Sequence, residues 1–371
     1  MSKTYKTYYY SIADDVAKYP DAWCYVVVGG RATGKTYGAL KDCYINKRKF
    51  IYAKRTNKDV DLLCAGSGAI GTKRSQYGLD LSPFKSINRD LGCNVKAFKI
   101  KEGLGGFWEC QESEDEGETP TSEPIGTIIS LNSVSKFAGF DMSECDWLIF
   151  DEFIPRPWEK VNRKEGDQLL DLYKTVCRDR EHRGKEPLKL ICLANAVSIS
   201  NPVSNILEVT DHFAEMQIDG REYIYIEDRG IMLHMLKPSK DFGDIERKSA
   251  IYRAMGGTEW GAMAFENSFA YNDFTAVAKG QLKGFKPVCS YTYKHKDYYV
   301  YQRDGIYQLT YARFNDKNKP HYNLAIENDQ KRFYYEQALD LRNECINGNV
   351  RFEQYSMYDL IVNYHKIFII R

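Results

Sequence analysis

Short apolar runs alternate with segments of helical spacing along residues 1–238. The run WCYVVVGG is apolar at consecutive positions, as expected for a strand buried on both faces, and TGKTYGALKDCYINK after it has the spacing of a helix. KFIYAKR, GTIISLN, DWLIFDEF and LKLICLANAV predict four further strands, and REYIYIEDRGIMLHML predicts a late pair. Strands separated by helical segments predict an α/β fold with a mainly parallel sheet.

The pattern changes after Pro238. DIERKSAIYRAMGG has helical spacing and ends in paired glycines, so we predict a helical linker or lid at residues 239–276. From about Val277 the chain is rich in strands, and it finishes with the helical segments FYYEQALDLRNECING and YDLIVNYHKIFII. The sequence therefore predicts a large domain at 1–238, the linker, and a small α+β domain at 277–371.

Composition excludes several classes of protein. Hydrophobic residues make up 43% of the 371 residues and charged residues 28%, which is typical of a globular protein. No apolar stretch approaches the about 20 residues that a membrane span needs, and the N-terminal MSKTYKTYYYSIADD lacks the apolar core of a secretory signal. The 10 cysteines form no C-x-x-C pair, so we interpret them as reduced thiols. We expect a cytosolic protein whose net charge of +1 leaves any nucleic-acid binding to local patches.

The stretch that follows the first strand pattern satisfies the phosphate-binding motif G-x-x-x-x-G-K-S/T. It consists of Gly29, Gly30, Arg31, Ala32, Thr33, Gly34, Lys35 and Thr36. In such a loop the backbone N–H groups point at phosphate oxygens, the lysine reaches the β- and γ-phosphates, and the threonine holds Mg²⁺. The motif stands between a buried strand and a helix, which is the context it requires. A phosphate cradle is therefore favoured over a plain glycine-rich turn.

Two adjacent acids follow the strand pattern WLIF. Asp151, at the end of a buried strand, suits a partner of Mg²⁺, and Glu152 suits a base that polarises the attacking water. The alternative is an acidic N-cap on the next helix. A glutamate beside the Mg²⁺-binding aspartate, together with the absence of N-K-x-D, favours an ATPase over a kinase or a switch GTPase.

Two further polar positions suit the sensing and completion of such a site. Asn195 ends the strand pattern LICLA and could sense the γ-phosphate or the water, with a capped turn as the alternative. Arg178 is half a turn out of phase with the apolar face of DQLLDLYKTV, so it points outward if the helix persists. An outward arginine is a candidate finger for a neighbouring subunit's site; Arg180 and Arg183 are reserves, and a solvated basic helix end is the alternative.

In this order, the four elements resemble the DNA-packaging (encapsidation) ATPases of small, short-tailed bacteriophages with protein-primed genomes, which are relatives of the large terminase motors. The resemblance rests on GGRATGKT, FDEFI, VCRDRE and ICLANAVSISNP, and GGTEWGAMAFENSF resembles the family's linker. It covers most of residues 20–275. It implies a P-loop ATPase of the ASCE type in which Lys35 and Thr36 bind ATP and Mg²⁺, Arg31 is the basic residue of the loop, and Arg178 acts in trans.

The same resemblance implies a ring, a pentamer in this family, at the portal vertex of an empty prohead in the host cytoplasm. ATP hydrolysis would drive double-stranded DNA into the prohead. A motor that moves along DNA needs phosphate contacts that carry no sequence information. Lys136 is the first candidate for such a contact, and Lys54 and Arg55 are weaker ones; a solvated lysine is the alternative.

Large terminases usually carry an RNase H-like nuclease whose carboxylates hold two metal ions. Here the opening strand VCSYTY has no acid, and Asp297 and Asp304 fall in predicted turns, so we predict a degenerate nuclease-like domain without nuclease activity. Residues 279–323 contain nine Lys or Arg, three Asp and no Glu, interleaved with tyrosines. This composition suits DNA, the portal or a structural RNA as a partner, and equally a solvated basic face of the sheet.

Two other functions stay open at this stage. One is a complete terminase with both ATPase and endonuclease activity. The other is a nucleotide-switched assembly or scaffold protein that hydrolyses ATP slowly and does not move DNA.

Overall fold

The chain forms two compact units. A computed structural model describes residues 9–67, 80–113, 117–137, 141–156, 158–159, 162–237, 244, 247–258, 261, 269, 272–368 and 370. One unit consists of Met1–Leu207 and Asp219–Tyr271, and the other consists of Glu208–Ile218 and Asn272–Arg371. Of the 38 residues in the predicted linker, 18 lie outside the described residues, and these include most of GGTEWGAMAFENSF.

The first unit is built on a ten-stranded sheet. Its strands are β1 (Cys24–Gly29), β2 (Phe50–Lys54), β3 (Val95–Lys101), β4 (Leu104–Ser113), β5 (Gly117–Pro120), β6 (Gly126–Ser130), β7 (Trp147–Asp151), β8 (Lys189–Asn195), β9 (Tyr223–Ile226) and β10 (Ile231–Met235). Their order across the sheet is β3-β4-β6-β2-β7-β8-β1-β10-β9, with β5 paired to β4. The six strands from β6 to β10 in this order are parallel. The predicted mixed α/β fold with a large, mostly parallel sheet is confirmed.

The central strands are buried at every position, which accounts for their continuous apolar runs. Along β1, Tyr25 and Val27 belong to a core cluster with residues of the surrounding helices, while the alternating Val26 and Val28 are equally buried. The helices of this unit are α1 (Ile12–Lys18), α2 (Lys35–Ile45), α3 (Asn57–Cys64), α4 (Phe84–Leu91), α5 (Glu165–Cys177), α6 (Pro202–Ile206) and α8 (Ala250–Met255), and α7 (Thr210–Asp219) lies mostly in the other unit.

The candidate residues collect at one edge of this sheet, because the carboxyl ends of its parallel strands meet there. β8 lies between β1 and β7. Its last residue, Asn195, pairs with Gly29, and its Leu193 pairs with Asp151. The loop after β1, the acids after β7 and the amide after β8 are therefore neighbours.

The second unit has a five-stranded mixed sheet in the order β14-β11-β12-β13-β15. Its strands are β11 (Lys286–Tyr293), β12 (Lys296–Arg303), β13 (Ile306–Thr310), β14 (His321–Asn323) and β15 (Val350–Phe352), and its helices are α9 (Glu327–Phe333), α10 (Leu339–Ile346), α11 (Tyr355–Val362) and α12 (Tyr364–Ile367). An aromatic core that includes Tyr291, Tyr322 and Phe333 packs between them. Asp211 of α7 accepts hydrogen bonds from the backbone N–H and the hydroxyl of Ser356, at 2.7 Å each, which explains why this helix belongs to the second unit.

No helix among the described residues is both long and apolar enough to cross a membrane.

Candidate functional site

The loop between β1 and α2 turns so tightly that one of its positions requires glycine. Gly34 has a φ of +86°, and a Cβ atom there would lie 2.7 Å from Cβ of Tyr9, so both conformation and space require glycine. Ala32 also lies in the left-handed region, with a φ of 58°. The loop thus curls back over the first turn of α2, where the unpaired N–H groups of a helix N-terminus favour an anion.

Lys35 is buried in this loop and is held by neutral oxygens. Its Nζ donates hydrogen bonds to the carbonyl oxygens of Gly29 at 3.1 Å and Gly30 at 2.7 Å. It also donates to Oγ1 of Thr33 at 3.2 Å and to Oδ1 of Asn195 at 3.3 Å. The side chain therefore folds back onto its own loop and links that loop to the end of β8.

The charge of Lys35 is poorly compensated in this arrangement. Burial lowers its pKa, Asp151 acts in the opposite direction and Arg31 adds to the lowering, so that the pKa is about 8. The Nε of Arg31 is itself buried and has no hydrogen-bond partner among the described residues. Lys35, the first residue of α2, thus carries a charge that a bound anion would balance.

Asp151 is the best-connected carboxylate at this edge. Its Oδ1 accepts a hydrogen bond from Thr36 Oγ1 at 3.0 Å, and its Oδ2 accepts one from the Tyr52 hydroxyl at 2.5 Å. Burial, together with Asp151, raises the pKa of Tyr52 well above its usual value, so the hydroxyl stays a donor. A hydroxyl oxygen beside a carboxylate oxygen is the kind of donor set that Mg²⁺ accepts, so Asp151 and Thr36 fit this ion.

Glu152 adopts a left-handed backbone conformation, with a φ of 60°, and its side chain is half-exposed. Lys54 Nζ lies 3.3 Å from its Oε2 and 3.4 Å from Asp151 Oδ2. Burial opposes the charge of Lys54, but the two carboxylates outweigh it and raise the lysine's pKa. Lys54, which we predicted as a DNA contact, is only 12% exposed and bridges the acid pair instead, because β2 lies directly beside β7.

A cleft of about 400 Å³ runs through this edge of the sheet and includes a second set of side chains. At its far end, the Tyr37 hydroxyl donates to Asp90 at 3.0 Å, and the rings of Tyr9 and Tyr37 are 5.9 Å apart. Burial, and then the bond to Asp90, raise the pKa of Tyr37 to about 12. The lining residues are Tyr9, Ala32, Thr33, Gly34, Lys35, Thr36, Tyr37, Ser86, Arg89, Asp90, Asp151, Glu152, Ala194 and Asn195. The sequence patterns singled out neither Tyr9, Tyr37 nor Asp90, since nothing in the sequence connects α4 to the loop.

The three candidate arginines after α5 differ in burial. The helix ends at Cys177, and Arg178 caps it with a φ of 40°, so the condition that the helix persists fails; Arg178 is nevertheless exposed. Arg180 is 6% exposed and pairs with Asp146 at 2.7 Å. Because a buried side chain cannot reach another subunit, Arg180 is not a candidate for the arginine finger, and we correct that prediction. Arg183 is exposed and pairs with Asp179 at 2.8 Å. Arg178 and Arg183 remain as candidates.

The remaining DNA candidates are Arg55 and Lys136. Arg55 is 14% exposed and engages buried Glu165 at 2.6 Å, so it offers little to a DNA phosphate, and we revise its predicted role. Lys136 is 58% exposed and lies 3.4 Å from exposed Glu102. It belongs to a 3₁₀ segment that starts directly after β6, and it therefore lies at the same edge of the sheet as the cleft.

In the second unit, Asp297 and Asp304 lie at opposite ends of β12. A strand of this length separates them by roughly 20 Å, at about 3.4 Å per residue, whereas two-metal sites hold their ions about 4 Å apart. Asp297 accepts a hydrogen bond from Thr292 at 2.5 Å. Among the described residues, no cluster of three or more His, Cys, Asp or Glu side chains is placed to bind a metal ion.

Comparison with known proteins gives one consistent answer. The sequence profile of the family described as Podovirus DNA encapsidation protein (Gp16) matches residues 123–355. The chain is 27% identical over 347 residues to a DNA packaging protein of Bacillus phage B103, covering 89% of this chain and 92% of that protein.

Two solved structures share the fold. The Phi-28 gp11 DNA packaging motor has a TM-score of 0.62 at 16% identity, covering 99% of this chain and 100% of that one. The bacteriophage Phi-29 viral genome packaging motor assembly has a TM-score of 0.58 at 20% identity, covering 97% and 99%. At these identities, the likeness concerns the fold of the whole chain.

Proposed function

The chain belongs to the podovirus DNA encapsidation protein family, and from this premise we propose that it is the ATP-hydrolysing subunit of a ring motor that moves double-stranded viral DNA into a prohead. The observation that carries the proposal is the convergence of a phosphate cradle, an acid pair and a polar amide at one edge of a parallel sheet. These elements come from β1, β7 and β8, which are neighbours in the sheet.

The order of these strands supports an ATPase of the ASCE type. In such enzymes an additional strand separates the P-loop strand from the strand that carries the acids, and a glutamate activates water. Here β8 separates β1 from β7, and Glu152 directly follows Asp151. In a protein kinase the catalytic carboxylate accepts a proton from a substrate hydroxyl, whereas here Glu152 would accept it from water.

We assign the parts of the cleft to parts of ATP. Lys35, Arg31 and the loop N–H groups bind the phosphates, and Thr36 and Asp151 hold Mg²⁺, which when bound neutralises charge on the phosphates. Glu152 orients and deprotonates the water. Asn195, whose Oδ1 lies 3.3 Å from Lys35 Nζ, changes partner when Lys35 turns to the phosphates. The adenine base of ATP lies toward Tyr9 and Tyr37, whose rings offer a stacking surface.

The lowered pKa of Lys35 predicts that ATP binding depends on pH. In the nucleotide-free protein the ammonium loses its proton as the pH rises through about 8, whereas bound phosphate restores a raised pKa. Binding therefore takes up a proton above pH 8, and the affinity for Mg-ATP should fall by up to about tenfold per pH unit there. Calorimetric titration between pH 7.5 and 9.5 measures this. Lys35→Arg, which stays charged, should bind with a flat profile, and a flat profile in the wild type would contradict the assignment.

The assembly around the site is proposed from the family. We propose a homo-oligomeric ring, a pentamer, that acts at the portal vertex of a prohead in the host cytoplasm. Exposed Arg178 would complete the site of a neighbouring subunit. The second unit, whose residues 279–323 are basic and rich in tyrosine, would contact DNA, the portal or a structural RNA without cutting nucleic acid.

Displacement of a third strand tests translocation without any other phage protein. A duplex that carries a triplex-forming oligonucleotide is incubated with the protein, Mg²⁺ and ATP, and release of the oligonucleotide is followed by fluorescence. We expect release with ATP and none with a non-hydrolysable analogue. ATP hydrolysis that is insensitive to duplex DNA, without release, would favour the nucleotide-switched scaffold. Nicking of supercoiled plasmid in Mn²⁺ would favour a complete terminase.

Lys136 is the DNA contact that the structure supports best. Replacing it by alanine should reduce DNA stimulation of ATPase activity severalfold and leave the DNA-free rate within twofold, because one phosphate contact is lost and the cleft is untouched. Lys185→Ala is the matched control: this lysine forms a similarly exposed pair with Glu144, at 2.8 Å, and precedes the amino end of β8. If both variants respond to DNA like the wild type, Lys136 is not a DNA contact.

A further inference from the structure

We propose that Arg55 is a positioning residue that fixes the turn carrying Glu152 and joins this turn to the first residue of α5. The inference rests on the proposed ATPase function for its kinetic consequence. The positioning role itself is inferred from the contacts of the Arg55 guanidinium group.

The guanidinium of Arg55 binds the backbone of the turn that carries Glu152. Arg55 Nη2 donates to the carbonyl oxygen of Glu152 at 2.8 Å and to that of Phe153 at 3.3 Å. Glu152 has a φ of 60°, which is unfavourable for a residue with a side chain, so surrounding contacts must hold this conformation. Arg55 supplies such contacts at the residue itself. With this turn fixed, the Glu152 side chain starts from one place at the mouth of the cleft.

The same guanidinium also binds the first residue of α5. Arg55 Nε lies 2.6 Å from Glu165 Oε2, and Nη2 lies 3.3 Å from Glu165 Oε1, so the pair is bidentate. Glu165 is 1% exposed and is the first residue of α5. Burial raises the pKa of Glu165, and Arg55 opposes that rise. A buried carboxylate of this kind needs its cation, so turn and helix are tied together.

Only arginine can fill this position. Its planar fork places Nε and Nη2 within hydrogen-bond distance of two backbone carbonyls and two carboxylate oxygens at once, whereas a lysine at the same place is a single point donor. The third nitrogen, Nη1, donates to Glu159 at 3.0 Å. All these partners lie between Glu152 and Glu165, which is the segment that connects the acid pair to α5.

The link has a consequence for the neighbouring site. α5 has 13 residues, which is about 20 Å of helix, and Arg178 caps its far end. A change in the Glu152 turn is therefore passed through Arg55 to the base of the helix that presents Arg178. Arg55 couples the subunit's own carboxylate to the arginine that it presents.

The experiment compares Arg55→Lys with Arg180→Lys. Arg180, at 6% exposed against 14% for Arg55, also binds backbone carbonyls, of Ser143 and Cys145, and one carboxylate, that of Asp146. It therefore controls for the loss of a buried, multiply bonded guanidinium away from the cleft. We expect Arg55→Lys to lower kcat at least tenfold with the Kd for Mg-ATP within twofold of the wild type. Arg180→Lys should leave both within twofold, even where it lowers Tm as much.

Hydrogen exchange gives a readout that does not depend on catalysis. The amides within residues 152–156, where Pro155 has none, should exchange at least tenfold faster in Arg55→Lys than in the wild type and should be unchanged in Arg180→Lys. Glu165→Gln, which keeps the shape of the acid, should reproduce both effects of Arg55→Lys. If exchange is faster in Arg55→Lys but even the wild type has no ATPase activity, the positioning role of Arg55 stands and the proposed ATPase function is refuted.

Three results would overturn the inference. The first is an unchanged exchange rate at residues 152–156. The second is an equal loss of kcat in Arg180→Lys. The third is a defect of Arg55→Lys that appears only when DNA is present, which would make Arg55 a DNA contact.

Discussion

Replacing Glu152 by glutamine is expected to lower ATP turnover by on the order of 100-fold to 10,000-fold, the contribution of a positioned general base, while ATP binding stays within a few-fold of the wild type. The amide keeps the volume of the carboxylate but cannot accept the proton of the attacking water. The phosphate-binding groups come from the loop after β1 and are unchanged. The substitution also removes the negative charge that lies 3.3 Å from Lys54 Nζ, so the lysine keeps Asp151, at 3.4 Å, as its acidic partner.

Single-turnover hydrolysis of radiolabelled ATP and equilibrium binding of a fluorescent ATP analogue separate the two quantities. Glu144→Gln is the matched control, because Glu144 also forms an ion pair with a lysine, at 2.8 Å, but lies before the amino end of β7, away from the cleft. It should hydrolyse ATP like the wild type. If Glu152→Gln hydrolyses ATP at the wild-type rate, a group other than Glu152 acts as the base.

The parts of the site that sequence motifs predict are those in which function depends on neighbours in the chain. Gly34, Lys35 and Thr36 act together because they are consecutive, and Asp151 and Glu152 belong to the cleft because they end a buried strand. The predicted family is confirmed, and so is the large, mostly parallel sheet. The roles of these residues in catalysis remain proposals.

Side chains whose surroundings come from distant segments could not be assigned in this way. Lys54 and Arg55 are adjacent basic residues at the end of one strand, and their partners are carboxylates about a hundred positions later in the chain. Arg178 and Arg180 likewise differ by two positions, yet Arg180 is buried against Asp146 and Arg178 is exposed. Periodicity predicts which face of a helix is apolar, but both arginines lie beyond the helix end, where periodicity no longer applies.

The end of the cleft near Tyr9 and Tyr37 could not be predicted from sequence patterns for the same reason. Tyr37 follows the phosphate motif directly, but its significance depends on Asp90, which reaches it from another helix at 3.0 Å. Tyr9 lies upstream of the first strand and covers Gly34. No spacing rule connects these three positions, because the cleft is formed by packing of α2 against α4 and the N-terminal segment.

Replacing Arg178 by alanine is expected to lower turnover in the homo-oligomer by on the order of 1,000-fold to 100,000-fold, the range for an arginine finger. The guanidinium would offset charge that develops on the transferred phosphoryl group. Since Arg178 is exposed at the end of α5, we expect this effect on the site of the adjacent subunit. Arg183→Ala is the control, because Arg183 is exposed only five positions later and its pair with Asp179 lies at the surface; it should stay within a few-fold of the wild type.

Mixing two inactive variants distinguishes action in trans from action in cis. An Arg178→Ala subunit retains Glu152 and lacks only the arginine that its neighbour supplies, whereas a Glu152→Gln subunit retains Arg178. In mixed oligomers, a site with Glu152 can therefore meet an intact Arg178 from next door, and ATPase activity should reappear at a level that peaks near equal proportions. If Arg178 serves its own subunit, every site lacks one group and no mixture recovers. A homo-oligomer of Arg178→Ala that hydrolyses ATP normally would remove Arg178 from the site altogether, and a loss of turnover in Arg183→Ala would then assign the role to Arg183.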